Sequence, residues 1–351
     1  VGTIPGVRIG VLTGGGDAPG LNAAIRAVAR CGLREGRHTI LGVRNGWAGM
    51  LGGEVVELTF DRVAGILPRG GTVLGTSRTN PFAPTVSDGL GSVRATIAEH
   101  TMEALIAIGG EDTLGVARRL CEEGIPVVGV PKTIDNDLGG TDVTIGFNTA
   151  TQIAADAIDR LHTTAESHNR VMVVEVMGRH AGWIATHAGI AGGGDAILIP
   201  ERPFDIEQVC AHLRRRHERG RTFSIVVAAE GATPTEGTLQ TLDGKGTDAF
   251  GHVRLGGIGV VLEREIEQRT GFETRMTILG HVQRGGTPTA FDRVLATRLG
   301  VAAMGAVLAG RFGVMVGARG GAIVEVNLAE ALREPKLLDP GLYETAELFF
   351  G

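Results

Sequence analysis

At 351 residues, 43% hydrophobic and 21% charged, the chain exceeds the size at which one core usually keeps growing, so two domains are expected. Lys and Arg number 34 against 39 Asp and Glu, a net charge of −5, and no basic run of the kind that tracks nucleic acid occurs. No charged-then-apolar leader pattern opens the sequence and no long uncharged apolar segment interrupts it, so a membrane is not an expected partner either.

Cys31, Cys121 and Cys210 are far apart, odd in number and set in helix-like stretches, which argues against a disulfide framework or zinc site. A reducing cytoplasm is the expected compartment. Aromatics are scarce at 4% while glycine numbers 56, so an aliphatic core and glycine-rich loops are expected.

Val7 to Leu12 reads as a first strand, followed by the turn Thr13-Gly14-Gly15-Gly16-Asp17 and a helix over Leu21 to Gly32. A strand, glycine turn and helix can cradle phosphate with backbone N–H groups, although a purely structural tight turn accounts for it equally well. It is not a dinucleotide fingerprint, because the third glycine of G-x-G-x-x-G falls on Pro19, and no G-x-x-x-x-G-K-[ST] run occurs. Short strands follow at His38 to Arg44 and Glu54 to Leu58, separated by a loop holding Trp47. A helix over Ser87 to His100, a strand over Ala104 to Ile108, a helix over Thr113 to Gly124 and a strand over Ile125 to Val130 then alternate. Such alternation is the mark of a parallel sheet with right-handed crossovers.

After Gly139-Gly140 the pattern restarts. A long helix spans Asn148 to His168, a buried strand Val171 to Val176, and Met177-Gly178-Arg179-His180 opens a helix through Ile190. Ala196 to Ile199, Ile206 to Arg219 and Ser224 to Ala229 read as strand, helix, strand, ending at Glu230. Thr233 to His252 reads as an exposed loop, Gly256 to Thr270 as a helix leading to the run Glu273 to Gly286, and Thr289 to Gly310 as a last helix before a strand or two. The fold class is therefore α/β, with two Rossmann-like three-layer domains and mostly parallel sheets.

In open α/β sheets ligands bind beyond the carboxyl ends of the strands, and three such ends here are acidic or glycine-rich: Gly14 to Asp17, Gly109 to Thr113, and Pro131 to Asp137. Asp135 and Asp137, two apart, share a face if the segment is extended, and their repulsion favours a bound cation or leaves one as a base. A solvated Asx-type turn is the competing reading. Glu111 and Asp112 at a neighbouring strand end tip the balance towards function, and such carboxylates suit Mg²⁺, with Glu111 and Asp137 as its ligands. Asp135 is the candidate base for a substrate hydroxyl. Arg170, Arg275, Arg284 and His281 lie on short turns, and arginine forks match phosphate oxygens. Singly each is an ordinary surface cation, but His281 and Arg284 both sit in Gly280-His281-Val282-Gln283-Arg284-Gly285-Gly286, between glycines that permit close approach.

Thr13 to Arg26, Pro131 to Asp137, Glu175-Val176-Met177-Gly178-Arg179-His180-Ala181-Gly182 and Leu279 to Gly286 together resemble the 6-phosphofructokinase family, in the family's order from Gly10 to about Arg298. The resemblance implies that O1 of fructose 6-phosphate attacks the terminal phosphate of a donor in a cleft between the domains. One domain is expected over 1–146 plus about 284–333, the other over 147–283 plus about 334–351. Asp135 is then the base, with Thr133 and Asp137 beside it. Met177, Gly178, Arg179 and Glu230 hold the sugar, and His281 with Arg284 its phosphate. Arg179 also stabilises the transferred group, while Gly16, Arg78, Glu111 and Asp112 face the donor with Mg²⁺. Arg170 and Arg275 match arginines that reach a neighbouring subunit's site, so a homo-oligomer, dimer or tetramer, is expected.

The family's ATP users commonly have Gly-Gly-Asp-Gly-Ser and Pro-Gly-Thr where this chain has Gly109-Gly110-Glu111-Asp112-Thr113 and Pro131-Lys132-Thr133. Asp112 adds bulk and negative charge where a nucleotide's α-phosphate lies; at ~4 Å and an effective dielectric of ~20 the repulsion is about 4 kcal/mol. Lys132 is placed to pair with Asp112 or to contact pyrophosphate oxygens. Both features resemble the pyrophosphate-dependent members, with an ATP-dependent enzyme of the same fold as the alternative. A dehydrogenase is disfavoured by the failed fingerprint, and a sugar-phosphate sensor has no need of Asp135.

Overall fold

The computed structural model describes residues 6–34, 36–236 and 257–350. By contacts the chain divides into two compact units: Val1–Ile134, Leu138–Asn148 and Arg284–Pro335 form one, and Asp135–Asp137, Thr149–Gln283 and Lys336–Gly351 the other. The sequence-based boundaries place Asp135–Asp137 with the first segment, whereas these three residues pack with the second unit.

In chain order the first stretch gives β1 (Arg8–Thr13), α1 (Leu21–Leu33), β2 (Thr39–Val43), α2 (Trp47–Gly52), β3 (Val55–Glu57), α3 (Gly89–Glu99), β4 (Ala104–Gly109), α4 (Glu111–Glu122), β5 (Val127–Thr133) and β6 (Ile145–Gly146). The second stretch adds α5 (Phe147–His168), β7 (Val171–Val176), α6 (Trp183–Ala191), β8 (Ala196–Leu198), α7 (Ile206–Glu218), β9 (Ser224–Ala229), α8 (Ile258–Thr270), β10 (Thr274–Ile278) and a 3-10 turn, Gly280–Arg284. The chain closes with α9 (Ala290–Leu308), β11 (Val314–Arg319), β12 (Ala322–Asn327), α10 (Leu328–Ala331) and α11 (Pro340–Glu347).

The first unit is built on a sheet ordered β12-β11-β5-β4-β1-β2-β3, with β6 paired to β5. Its five inner strands are parallel; β12 and β3 are antiparallel edges. Alternate residues feed two cores, as a period of two requires. Ile9, Val11, Ile106 and Ile108 pack with α1 and α9, while Leu12, Leu105 and Ala107 pack with the side of Met50, Val93 and Leu114. The second unit holds the all-parallel sheet β10-β7-β9-β8. One core there joins Val171, Val173, Val226 and Ala228 to Leu213 of α7 and Leu262 of α8. The mostly parallel α/β class read from the alternation is the one observed.

Several local expectations change. Trp47 does not lie in a loop: it opens α2, because its indole is buried and Gly46 and Gly53, at φ +59° and +68°, turn the chain at either end. α4 begins at Glu111, two residues early, so Glu111 and Asp112 occupy its first turn, where the helix dipole favours carboxylates. β5 runs on through Pro131-Lys132-Thr133, held by Lys132 opposite Ile145 and Thr133 opposite Gly146. Residues 237–252 of the expected loop lie outside the described residues, and α10 and α11 appear where only strands were expected. No helix among the described residues is long and apolar enough to cross a membrane.

Asn22 shows how the first unit fixes its long irregular segment. Buried in α1, it donates from Nδ2 to the carbonyls of Arg69 and Gly70 at 3.0 and 3.1 Å, and its Oδ1 accepts from the Val73 amide at 2.8 Å. Asn22→Leu strands that amide and two carbonyls, so a loss of about 3 kcal/mol is expected in urea unfolding.

Candidate functional site

In the first unit, three parallel strands deliver polar residues at their carboxyl ends. β1 and β4 approach through glycine. A Cβ on Gly14 would lie 2.5 Å from Thr113 Oγ1, and one on Gly109 would lie 2.3 Å from Thr113 Cβ. The Gly14 amide donates to the Ile108 carbonyl at 3.0 Å. Gly15, at φ +77°, donates to the Ser77 carbonyl at 3.0 Å and accepts from Thr76 Oγ1 at 2.6 Å. The glycine turn is thereby tied to the segment carrying Arg78, which is exposed.

Two cations converge on the next residues of the turn. Lys132 is buried in β5 and its Nζ donates to the Gly16 carbonyl. Arg284 donates from Nη1 to the Asp17 carbonyl at 3.3 Å, and a Cβ on Gly16 would fall 2.1 Å from that nitrogen. Its Nε is buried and makes no hydrogen bond. Arg284, expected with His281 at a sugar phosphate, thus rests its guanidinium on the Gly16–Asp17 turn; His281 on the same 3-10 turn is exposed. Glu111 is exposed and Asp112 half-buried on the first turn of α4. Thr133, half-buried at the end of β5, has its carbonyl fixed by Thr144 Oγ1 at 2.6 Å.

Beyond Thr133 the backbone does not stay extended. Asn136 is left-handed at φ +55°, so the expectation that Asp135 and Asp137 share one strand face does not hold. Asn tolerates this conformation better than most residues, and Asn136 is buried. Asp135 and Asp137 are half-buried, and the Asp137 carbonyl accepts from the Lys336 amide at 2.8 Å.

In the second unit Met177 and Gly178 follow β7 directly and are buried; Arg179 is half-buried. Gly178 sits at φ +132°, and a Cβ there would lie 2.6 Å from the Ala181 carbonyl. Glu230 follows the neighbouring β9, its amide bonded to the Val176 carbonyl at 2.8 Å. A Cβ on Gly231 would fall 1.9 Å from the Arg179 carbonyl, so glycine is what lets the two strand ends meet. Gln283, to which sequence reasoning gave no role, is fully buried: its Oε1 accepts from the Met177 amide at 3.3 Å and its Nε2 donates to the Gly280 carbonyl at 3.1 Å. Its one signal was an amide set between two cations in a glycine-flanked motif.

Arg170 and Arg275 are at the other end of this sheet. Arg170 immediately precedes β7 and Arg275 is paired with Met172, so roughly 17–23 Å of strand separates them from Met177. Both hold Glu273 Oε1 at 2.7 Å. The Arg170 hydrogen bond, chiefly, holds the Glu273 carboxyl below its ordinary range.

Mg²⁺ is commonly held by one or two carboxylates plus substrate phosphates and waters. Among the described residues no three His, Cys, Asp or Glu side chains are grouped to hold a metal by themselves. Taken each within its own unit, Glu111 on the first turn of α4 and Asp137 after β5 are carboxylate donors of the kind a hard cation takes.

The family model described as Phosphofructokinase matches residues 8–307. The pyrophosphate--fructose 6-phosphate 1-phosphotransferase of Amycolatopsis methanolica is 59% identical over 98% of this chain and 100% of its own length. ATP-dependent 6-phosphofructokinase 3 of Streptomyces coelicolor is 52% identical over 97% and 99%. Among solved structures, phosphofructokinase from Saccharomyces cerevisiae superposes with a TM-score of 0.80 at 32% identity over 98% of this chain, which spans 46% of the yeast chain.

Removing the buried amide tests how the turn after β7 is held. Gln283→Leu leaves the Met177 amide unsatisfied, and a loss of about 1–3 kcal/mol is expected in urea unfolding.

Proposed function

This chain belongs to the phosphofructokinase family, and from that premise we propose that it transfers a phosphoryl group reversibly between pyrophosphate and O1 of fructose 6-phosphate. The observation that carries the choice of donor is the pair Asp112 and Lys132. Asp112 stands with Glu111 on the first turn of α4, where the free amides and the dipole would otherwise receive a phosphate. Carboxylates already answer that field, and a nucleotide's additional phosphate meets repulsion of about 4 kcal/mol at ~4 Å and a dielectric of ~20. Lys132, buried against the Gly16 carbonyl, brings a fixed positive charge to the glycine turn. Relatives named as pyrophosphate users are 58–59% identical to this chain, against 51–53% for relatives named as ATP users, which favours the same reading.

In the forward direction the O1 hydroxyl loses its proton to Asp135 as its oxygen bonds to the terminal phosphorus of pyrophosphate. The bridging P–O bond breaks, and inorganic phosphate leaves with that bond's electrons. Thr133 orients the acceptor and Arg179 balances the charge on the transferred group. Met177, Gly178, Arg179 and Glu230 bind the sugar, with Glu230 accepting from its hydroxyls. His281 and Arg284 bind its phosphate, and Gly16 and Arg78 the donor. Glu111 and Asp137 would hold Mg²⁺, which when bound neutralises charge on the pyrophosphate oxygens.

Arg170 and Arg275 lie too far along β7 and β10 to reach the sugar held at Met177–Arg179 of their own chain. Their placement supports a homo-oligomer in which they complete a neighbour's site. No nucleic acid is proposed as a partner, and the compartment proposed is the cytoplasm.

Initial rates with fructose 6-phosphate and Mg²⁺ should show turnover with pyrophosphate and little with ATP; rapid ATP turnover with none from pyrophosphate would sink the assignment. Asp112→Gly is expected to raise kcat/KM for ATP by at least about tenfold, as part of the ~4 kcal/mol repulsion is relieved. Asp135→Asn should lower kcat by about 10²–10⁴ with a smaller change in KM, because the base acts only as the proton moves.

A further inference from the structure

The short strap Lys336–Leu338 in the second unit is held at three successive points. The Lys336 amide donates to the Asp137 carbonyl at 2.8 Å, the Lys336 carbonyl accepts from the Trp183 indole at 3.0 Å, and the Leu338 amide donates to Glu201 Oε1 at 3.0 Å. Glu201 also accepts from the Gly182 amide at 2.9 Å, so one carboxylate joins the strap to the start of α6. The indole is itself oriented from both sides. Lys336 Nζ lies 5.1 Å from the centre of its ring, and the ring of His187, whose Nδ1 donates to the Trp183 carbonyl at 2.9 Å, packs at 5.8 Å.

We propose that Trp183 is a positioning residue for Asp135. All of these groups belong to the second unit, and so does the turn Asp135–Asp137. Asn136 bends that turn at φ +55°, and the Asp137 carbonyl fastens it to the strap. Trp183 opens the helix that follows Met177-Gly178-Arg179, the residues assigned to the sugar. Through one intervening residue, Lys336, the indole therefore ties the segment assigned to the acceptor to the segment that carries the base. The link runs from indole N–H to the Lys336 carbonyl, and from the Lys336 amide to the Asp137 carbonyl. A misplacement of about 1 Å in a reacting group can cost about a hundredfold in rate, so whatever fixes this backbone bears on the proton transfer. An indole that served only to fasten α11 to the unit would change stability and leave the base where it is. The inference rests on Asp135 as the base, and not on the choice of phosphoryl donor.

A double-mutant cycle between Trp183→Phe and Asp135→Asn separates the two roles, because phenylalanine keeps a ring beside Lys336 and loses only the donor. With fructose 6-phosphate, Mg²⁺ and whichever donor turns over, W183F is expected to lower kcat about tenfold, the effect of one hydrogen bond, while KM for fructose 6-phosphate changes by less than about twofold. In the D135N background the same substitution is expected to change kcat by less than about twofold, since no base remains to be placed. An equal loss of kcat in both backgrounds overturns the inference, because lost folding scales every rate alike. So does a W183F enzyme with unchanged kcat, or one altered in KM alone. A D135N enzyme that keeps the wild-type kcat removes the base assignment and this inference together, as does a chain that turns over neither donor. If circular dichroism shows W183F unfolded, Glu201→Gln, which loosens the strap at Leu338 and leaves the indole intact, enters the same cycle and is judged by the same outcomes.

Discussion

Everything gathered at the carboxyl ends of the first sheet depends on how closely β1 and β4 approach there. Thr113 fills the space between them, and only glycine at 14 and 109 leaves room for it. That fit sets the glycine turn beside the first turn of α4 and the end of β5. Backbone amides, two acids and a buried lysine are thereby gathered by strand pairing rather than by loop conformation. Groups carried on a hydrogen-bonded sheet keep their geometry at little entropic cost.

The second unit solves the same problem with the same device. Gly178 and Gly231 are each forced by a carbonyl under 3 Å from where a side chain would begin, and their contact joins the end of β7 to the end of β9. Gln283 then anchors the Met177 amide from a third segment. Glu175, buried within β7, accepts from the Gly259 amide at 2.8 Å and so fixes the start of α8 against the strand that presents Met177.

Much of this was legible in the sequence, for a physical reason. Period-two and period-3.6 apolar patterns persist wherever an element buries one face, and so β1, α1, β4, β7 and β9 fall where periodicity puts them. What escaped was decided by neighbours. β5 extends through Pro131 to Thr133 because Pro131 lies opposite Gly109 of β4 and β6 pairs with Lys132 and Thr133, and no local pattern announces a two-residue strand. α4 starts at Glu111 because the acids serve as its first turn, a role indistinguishable in sequence from a loop. Asn136 breaks the alternation of Asp135 and Asp137 by turning left-handed. Arg170 stands just before the expected strand Val171 to Val176, but only the register, which sets Arg275 opposite Met172, shows that Arg275 lies at the same sheet end.

The backbone passes between the two units five times, at Ile134, Asp137, Asn148, Gln283 and Pro335. The last passage brings Lys336–Gly351 back to the second unit, where the Trp183 indole donates to the Lys336 carbonyl at 3.0 Å. Further on, the Tyr343 hydroxyl donates to the Ile197 carbonyl at 2.7 Å, and the amide of Leu338 reaches Glu201. Synthesis is vectorial, so β7, α6, β8 and β9 leave the ribosome long before the strap that completes them. At about 5–20 residues per second the hundred or so residues between β9 and α11 take on the order of 5–20 s to appear. For that interval the hydrogen bonds that the strap brings to Trp183, Ile197 and Glu201 are not yet formed.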